Sequence, residues 1–472
     1  MPNANTTTVP DSSPAFDQVA AAVYINQGPS FDGLNTSQFY NNLLGVPMSF
    51  EIYQSINGMF RYGFIMFEDK LGIRETLPLT GNEILSLKYA NAAMGTAYSR
   101  QPRTMHFNVY DIEEIQFSGS EKDRFTQKAL KFHVIEAPFF LKYNTNVWLK
   151  SYGTPEDGVT IDTIINQHLT TDLQIPGDLF QLNIQKMSTT NTIHFCVPAW
   201  RSQMIFNYLL QYVRDQNDYG NVKFYNTSDA STGSVITNLQ SVNNMFMNQK
   251  ITEFVMVDTT AYSSGQKPTS LISQRALNLI LSYKFLSYNI TSLASGLPGA
   301  HLLNLDYENS QYFTMYDNYV QSNANSKYFY NFSLWSNEIS NSQSKRLFIG
   351  PTITSLAKAY LNNKIIDHKY QLRCEVATYI DETINPGDKI AIFFMSGMAD
   401  LNQQHLLDEQ MSGGWIVEEI IDSAVNGQGY RKMILIKDSF FNIYDTTAGN
   451  NTNTTLPQVQ SIIPPNGPTQ GI

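Results

Sequence analysis

The chain has 472 residues and a net charge of −10, with 42% hydrophobic, 12% aromatic and only 15% charged residues. An average soluble domain is about 25% charged, so this surface must be polar without being ionic. The composition excludes a disordered chain and a coiled coil, and a pI near 5.2 excludes a general nucleic-acid binder.

Residues 1–45 are rich in Asn, Thr, Ser, Pro and Gly, with one apolar patch from Val19 to Ile25. They read as an arm that needs a partner for order. Ser49–Tyr53 and Tyr62–Phe67 bracket a Ser55-Ile56-Asn57-Gly58 turn, a hairpin pattern. His106–Ile112 and Trp148–Tyr152 alternate apolar and polar residues, as half-buried strands do. Helices are expected at Ile161–Leu169, with Ile161, Ile164, Ile165 and Leu169 on one face, and at Ala199–Val213, with Ile205, Leu209, Tyr212 and Val213 on one face. Two further helices are expected at Ser270–Leu281 and Ser344–Leu361, and the polar stretch Gln321–Gln343 reads as an insertion or long loop. Gly414–Ile421 and Tyr430–Ile436 form a second candidate hairpin, joined through Asn426-Gly427-Gln428-Gly429. Residues 446–472 are poor material for a packed element. The fold class is β-rich α+β.

A faint internal echo relates Pro78–Ile84 to Ile384–Ile390, each a Gly turn opening a strand, with a long strand following around Val109 and around Ile416. Two similar barrels at the two ends of the chain would produce it.

The sequence carries few chemical motifs. Phosphate-loop, dinucleotide, zinc-protease, serine-hydrolase and EF-hand patterns are all missing. The two cysteines, Cys196 and Cys374, lie outside any metal-ligand pattern and read as half-buried thiols of a reducing compartment. The histidines are scattered, and His106, His133 and His194 read as satisfied strand residues. The carboxylate pairs Glu113-Glu114, Asp408-Glu409 and Glu418-Glu419 are strand neighbours pointing to opposite faces, unsuited to glycoside cleavage. The aromatics between Tyr307 and Trp335 read as core or subunit interface rather than sugar platforms. Apolar runs such as Ile390–Met395 are strand-sized, and the absence of Lys or Arg before Arg61 argues against a secretory leader. No catalytic residue, cofactor or metal site is assigned.

Several segments, in order, resemble the central baseplate hub subunit of contractile-tailed bacteriophages, a family related to the N-terminal part of the valine-glycine-repeat spike proteins of type VI secretion. They are Phe50–Ile56, Gly63–Asp69 and Leu77–Glu83; Leu130–Val134 with Trp148–Tyr152 and Ile161–Leu169; Val197-Pro198-Ala199-Trp200-Arg201-Ser202 with Ile205–Leu209 and Val222–Tyr225; Ser295–Gly299 with Leu303–Asp306; Asn385–Ile390; and Leu407–Val417 with Lys437-Asp438-Ser439. Ala199 and Ser202 depart from the Asn and Pro usual in the family's third segment. The resemblance spans roughly residues 47–445.

It implies two small antiparallel β-barrels of similar topology with connecting α+β domains. The division would be an arm (1–45), a first barrel (46–118), a connecting α+β domain (119–215), the start of a second barrel with an inserted segment (216–343), the rest of that barrel (344–445) and a flexible tail (446–472). It further implies a non-enzymatic homotrimer with pseudo-sixfold symmetry, joining a hexameric tail tube to a trimeric spike and passing DNA through its lumen. The other implied partners are further baseplate proteins, with no membrane binding by this chain. The location would be the virion tail baseplate, assembled in the host cytoplasm. The residues expected to matter are architectural: Pro198 and Trp200 starting and anchoring a helix, Gly81 and Gly387 opening equivalent strands, and Gly413 in the turn before the last hairpin. The rivals are a tail-associated cell-wall-degrading enzyme and a sugar-binding adhesin.

Overall fold

The computed structural model describes residues 19–26, 42–45, 47–69, 83–91, 103–117, 127–136, 146–154, 157–174, 180–185, 187, 192–216, 221–228, 235–247, 251–255, 280–286, 299–306, 311–318, 344–349, 372–380, 383–399, 405–407 and 411–437. Gly81, the segment 321–343 and the tail 446–472 lie outside them, as do most of the arm and of the helix expected at Ser270–Leu281.

The first part of the chain supplies β1 (Val19–Asn26), β2 (Asn42–Gly45), β3 (Ser49–Ser55), β4 (Tyr62–Glu68), β5 (Ile84–Asn91), β6 (Arg103–Phe117) and β7 (Gln127–Glu136). The middle supplies β8 (Asn146–Val147), β9 (Lys150–Tyr152), β10 (Val159–Thr160), α1 (Ile161–Gln167), β11 (Phe180–Ile184), β12 (Thr192–Ile193), β13 (Phe195–Val197), β14 (Trp200–Arg201), α2 (Ser202–Leu210), β15 (Val222–Ser228), β16 (Val235–Ser241) and α3 (Val242–Met247). The last part supplies β17 (Ile251–Val255), β18 (Ile280–Leu286), β19 (Gly299–Asp306), β20 (Gln311–Asn318), β21 (Ser344–Ile349), β22 (Leu372–Thr378), β23 (Lys389–Phe393), β24 (Met395–Ala399), β25 (His405–Leu407), β26 (Gly413–Val425) and β27 (Gln428–Lys437).

Strands from both ends of the chain join one 13-stranded sheet, in the order β18-β22-β27-β26-β3-β4-β7-β6-β5-β1-β2, with β23 on β26 and β17 on β23. Within it the same six-strand unit occurs twice. In the first unit, β3-β4-β7-β6-β5-β1 lie side by side, and in the second, β18-β22-β27-β26-β23-β17. Numbered by position in its own unit, each reads 2-3-6-5-4-1. The units differ at the last strand, since β1 runs antiparallel to β5 while β17 runs parallel to β23. The second unit also carries two insertions, the β19–β21 sheet and the β24–β25 hairpin.

The two ends of the chain therefore share one strand order, while Pro78–Asn82 of the echo lie outside the described residues. The expectation of two separate closed barrels is corrected: the outer edge of β3 is hydrogen-bonded to β26 along Ser49–Ser55, so the units merge into one sheet, and among the described strands neither closes on itself. A strand whose two edges are both occupied has no free edge left to close its own unit.

Alternation explains the strands. In β22, Leu372, Cys374, Val376 and Thr378 are buried while Arg373 is exposed. In β3, Ile52 and Gln54 are buried between half-buried neighbours, and Phe50 and Ser49 are buried together. Each unit has its own core. Ile52, Ile65, Phe67, Leu87, Phe107 and Phe132 pack in the first, and Val376, Ile392, Trp415, Val417, Met433 and Leu435 in the second. The final hairpin turns on Asn426-Gly427, both at positive φ (52° and 81°), as a two-residue hairpin loop requires.

The middle unit packs α1 and α2 on short strands. Ile161, Ile164, Ile165 and Leu169 are all buried, as their spacing predicts. α2 begins at Ser202 rather than Ala199 and ends at Leu210, yet Tyr212 and Val213 stay buried beyond it. The helix expected at Ser344–Leu361 is corrected over its first six residues, since Ser344–Ile349 is strand β21, parallel to β19, and residues 350–361 lie outside the described residues. In Lys-Arg-Leu-Phe-Ile, branched and aromatic residues favour the ladder once a partner is present.

Candidate assembly interface

The two units meet at β26. Its first residues, Gly413–Ile416, pair with Ile392–Lys389 of its own unit. Its later residues, Glu419–Val425, pair with Ser55–Ser49 of the other unit, while β27 runs along the opposite edge from Ile416 to Val425. The register shift between Val417 and Glu419 marks the change of partner. A bulge adds one residue and bends the strand, which lets one strand serve two neighbours in turn. The bulged residue, Glu418, is anchored: its carboxylate accepts from Arg373 (2.8 Å) and Asn57 (2.7 Å), and its carbonyl from the Ile56 amide (2.9 Å). Burial raises the neighbouring Glu419 carboxyl, helped by the charge of Glu418.

β6 is built the same way. Arg103–Asn108 pair with Tyr89–Ile84, a register shift follows at Tyr110, and Asp111–Phe117 continue along β7. The amide of Val109 donates to Glu83 (3.1 Å), and that of Val417 to Asp388 (3.0 Å), so equivalent strands are opened by equivalent bonds.

Charged groups buried between the units lock them together. Asp422 of β26 accepts from Arg431 Nε (2.6 Å) and a second guanidinium nitrogen (2.8 Å), and from the Tyr89 hydroxyl (2.6 Å) of β5, with Arg103 of β6 at 4.0 Å. All four are fully buried or nearly so. Burial opposes the Asp422 charge, but Arg431, Arg103 and the Tyr89 hydroxyl outweigh it and hold the carboxyl below its usual range. Burial and Asp422 together push the Tyr89 phenol well up. Arg103 also bonds Asn385, in the turn that opens β23.

The middle unit caps this junction. Ile56, Tyr225, Val242, Met245, Phe246, Ile416 and Ile436 form one buried cluster drawn from all three parts of the chain. Glu136 accepts from Arg61 Nε (2.7 Å) and Asn226 (3.1 Å) inside the protein. Gly387 opens β23, with φ +85°, its amide bonded to Val417 (2.8 Å), and Tyr225 so close that a Cβ would strike its hydroxyl.

Of the other expected residues, Gly413 is the first residue of β26, at φ +116°. Pro198 is exposed, four residues before α2. Trp200 sits in β14, half-buried, its ring against Phe195 (6.1 Å) and Tyr208 (5.5 Å). Gly387 and Gly413 thus share the β23–β26 junction, while Pro198 and Trp200 belong to the middle unit. Sequence reading missed Tyr89, Arg103, Asp422 and Arg431.

Three clusters bear on the rival readings. Tyr152 donates to Asp172 (2.5 Å) and lies 2.8 Å from His168 Nδ1, with Lys150 on the same carboxylate. His168 is fully buried, pushed down to about 4 mainly by burial and packed on Phe206, so it reads as a structural histidine. His194, Ser151 and Cys196 cluster on the exposed face of β9 and β13, with His194 Nε2 3.6 Å from the Cys196 sulfur. Cys196 is exposed and Cys374 buried, its thiol pushed up to about 12 by burial, so the two are not half-buried alike. Asp111, Glu113 and His133 could offer three ligand atoms within 4.8 Å. Glu113 already faces His133 (3.1 Å) and Lys131 (3.4 Å), and that hydrogen bond to His133 holds its carboxyl below the usual range. A cation would have to displace the lysine.

No protein-family model and no curated protein matches the chain. Solved structures do. A tail protein from Neisseria meningitidis superposes with a TM-score of 0.50 at 8% identity, over 89% of this chain and 97% of that one. A 43 kDa tail protein of a Shewanella oneidensis prophage gives 0.46 at 7%, over 90% and 100%. A component of the Escherichia coli type VI secretion system gives 0.40 at 11%, over 84% and 75%. The match with the Neisseria protein covers most of both chains, so what they share is a fold. The chain shares the fold of this tail protein.

Proposed function

We propose that this protein is the structural hub of a tail baseplate, a homotrimer whose three chains present six similar units in a ring. The ring would join a hexameric tail tube to a trimeric spike and let DNA pass. The observation that carries the reading is the repeat itself: two units of one strand order, hydrogen-bonded edge to edge within a chain. Three chains of two units reconcile threefold with sixfold symmetry, and a subunit without the repeat could not meet both.

The fixed junction supports the same reading. Arg103, Asp422, Arg431 and Tyr89 hold the units in one relative position, as an adaptor between rigid partners needs. The acidic balance suits a channel that must not bind phosphate. Among the described residues no helix is long and apolar enough to cross a membrane. The role is structural rather than catalytic, placed in the virion tail and assembled in the host cytoplasm, with spike, tube and other baseplate proteins as partners.

Sedimentation of the purified chain, alone and with its cognate spike, tests this. A mass of three chains in either sample is the expected result. A monomer in both, or lysis of cell-wall material by the purified chain, overturns it.

A further inference from the structure

The repeat makes one contact inside the chain that, among the described strands, it leaves unmade at its two ends. Beyond its bulge, β26 pairs with β3, which is strand 5 of the second unit meeting strand 2 of the first. The counterparts are β6 beyond its own bulge, strand 5 of the first unit, and β18, strand 2 of the second. β5 ends at Ile84, opposite Asn108, so none of the described strands continues beside Asp111–Phe117 on that side. β18 is the terminal strand of the sheet, paired only with β22 among the described strands.

We infer that the stretch of β6 from Asp111 to Phe117 pairs antiparallel with β18 of a second copy of this chain, repeating between chains the contact that β26 and β3 make within one. The inference rests on the hub reading and deepens it by naming the edges that meet. It makes a heterologous, head-to-tail contact, the kind that generates rings, in which each step repeats the last: second unit to first within a chain, first to second between chains.

The repeat also sets the register. Val109 and Val417 precede the two bulges, so Ile115 stands where Ser423 does. Ile52 and Phe285 hold equivalent places, opposite Gly63 and Cys374, which in turn face Val134 and Leu435. Lys284 therefore stands where Glu51 does. Because Ser423 faces Glu51 within the chain, Ile115 faces Lys284 of the next copy, with Glu113 on the diagonal.

Charge and exposure agree. The β6 stretch carries Asp111, Glu113 and Glu114 and no basic residue, whereas β18 carries Lys284 and no acid. Glu113 and Lys131 are cross-strand partners, so Lys284 would extend a row of alternating charge across the new ladder, which favours pairing. β18 is mostly exposed from Leu281 to Lys284, with Leu281 at 44% and Tyr283 at 38%. A second strand would cover that edge.

Disulfide trapping tests the register. In a Cys196→Ser background of the full chain, Ile115→Cys with Lys284→Cys places two thiols directly opposite across the interface, about 4.5–5.5 Å apart at Cα, within disulfide range. Mild oxidation should give covalent multimers that reductant returns to monomer. Glu114→Cys with Lys284→Cys, one residue out of register and on opposite faces, should give at least tenfold less. Lys284→Glu, on an exposed side chain, should weaken self-association about tenfold with an unchanged melting temperature. Multimers in sedimentation without the Ile115–Lys284 cross-link, equal trapping of the two pairs, or no effect of Lys284→Glu would overturn the edge assignment and leave the hub reading standing. No multimer alone or with the spike would overturn both.

Discussion

The two six-strand units share one strand order, yet the strands that leave them after the bulge differ in character. In the second unit the stretch is Glu419, Ile420, Ile421, Asp422 and Ser423, buried or half-buried because β3 covers it. In the first it is Asp111, Ile112, Glu113, Glu114 and Ile115, exposed or half-buried. The topology is the same and the difference lies in what lies alongside. A permanently covered edge can be apolar and hold a desolvated ion cluster. An edge that must stay soluble before assembly needs charge to prevent indiscriminate pairing. In the proposed ring, the asymmetry would separate the contact made on folding from the one left for assembly.

Breaking the covered contact has the largest expected effect. Asp422→Ala leaves Arg431 and Arg103 without their shared carboxylate, and removing one partner of a buried pair costs about 3–5 kcal/mol. Chemical denaturation should show that loss, and the two units should no longer melt together. Gly387→Ala should cost about 2–3 kcal/mol, combining a positive φ with a Cβ driven into Tyr225. Tyr225→Phe should recover part of it, while additive losses would show that the contact with Tyr225 is not the cause. Trp200→Ala should cost only about 2 kcal/mol, below the 3–5 of an enclosed ring, because the indole is half-buried and supports just the middle unit.

A pH titration sharpens the comparison further. Asp422 has a carboxyl held below its unfolded value, so its contribution is fully present above about pH 4 and is lost as pH falls through the folded value. Wild-type stability should fall below pH 4 more steeply than that of Asp422→Asn. Parallel curves would mean that Asp422 does not carry the acid sensitivity.

The fold was legible where the chain carries its own instructions. Asn426-Gly427 sets its hairpin turn, Ile161 to Leu169 sets its helix face, and Gly387 opens its strand. Ser344–Ile349 was misread because its pairing with β19 comes from another part of the chain. The join between the units was illegible for a similar reason: Tyr89 and Asp422 are 333 residues apart, and neither belongs to a local pattern. An isolated arginine or aspartate looks like a solvated charge until the sheet order brings four such groups together. The bulges at Tyr110 and Glu418, the second of which marks where β26 passes from β23 to β3, leave no mark in a period-two pattern beyond one skipped residue.

The most direct test is an axial view of the assembled particle by cryo-electron microscopy. Three chains should form a ring of six similar sheet modules around an open channel, with intrachain and interchain junctions of like geometry. A twofold particle, or a ring whose neighbouring chains touch through the middle units rather than through β6 and β18, would contradict it.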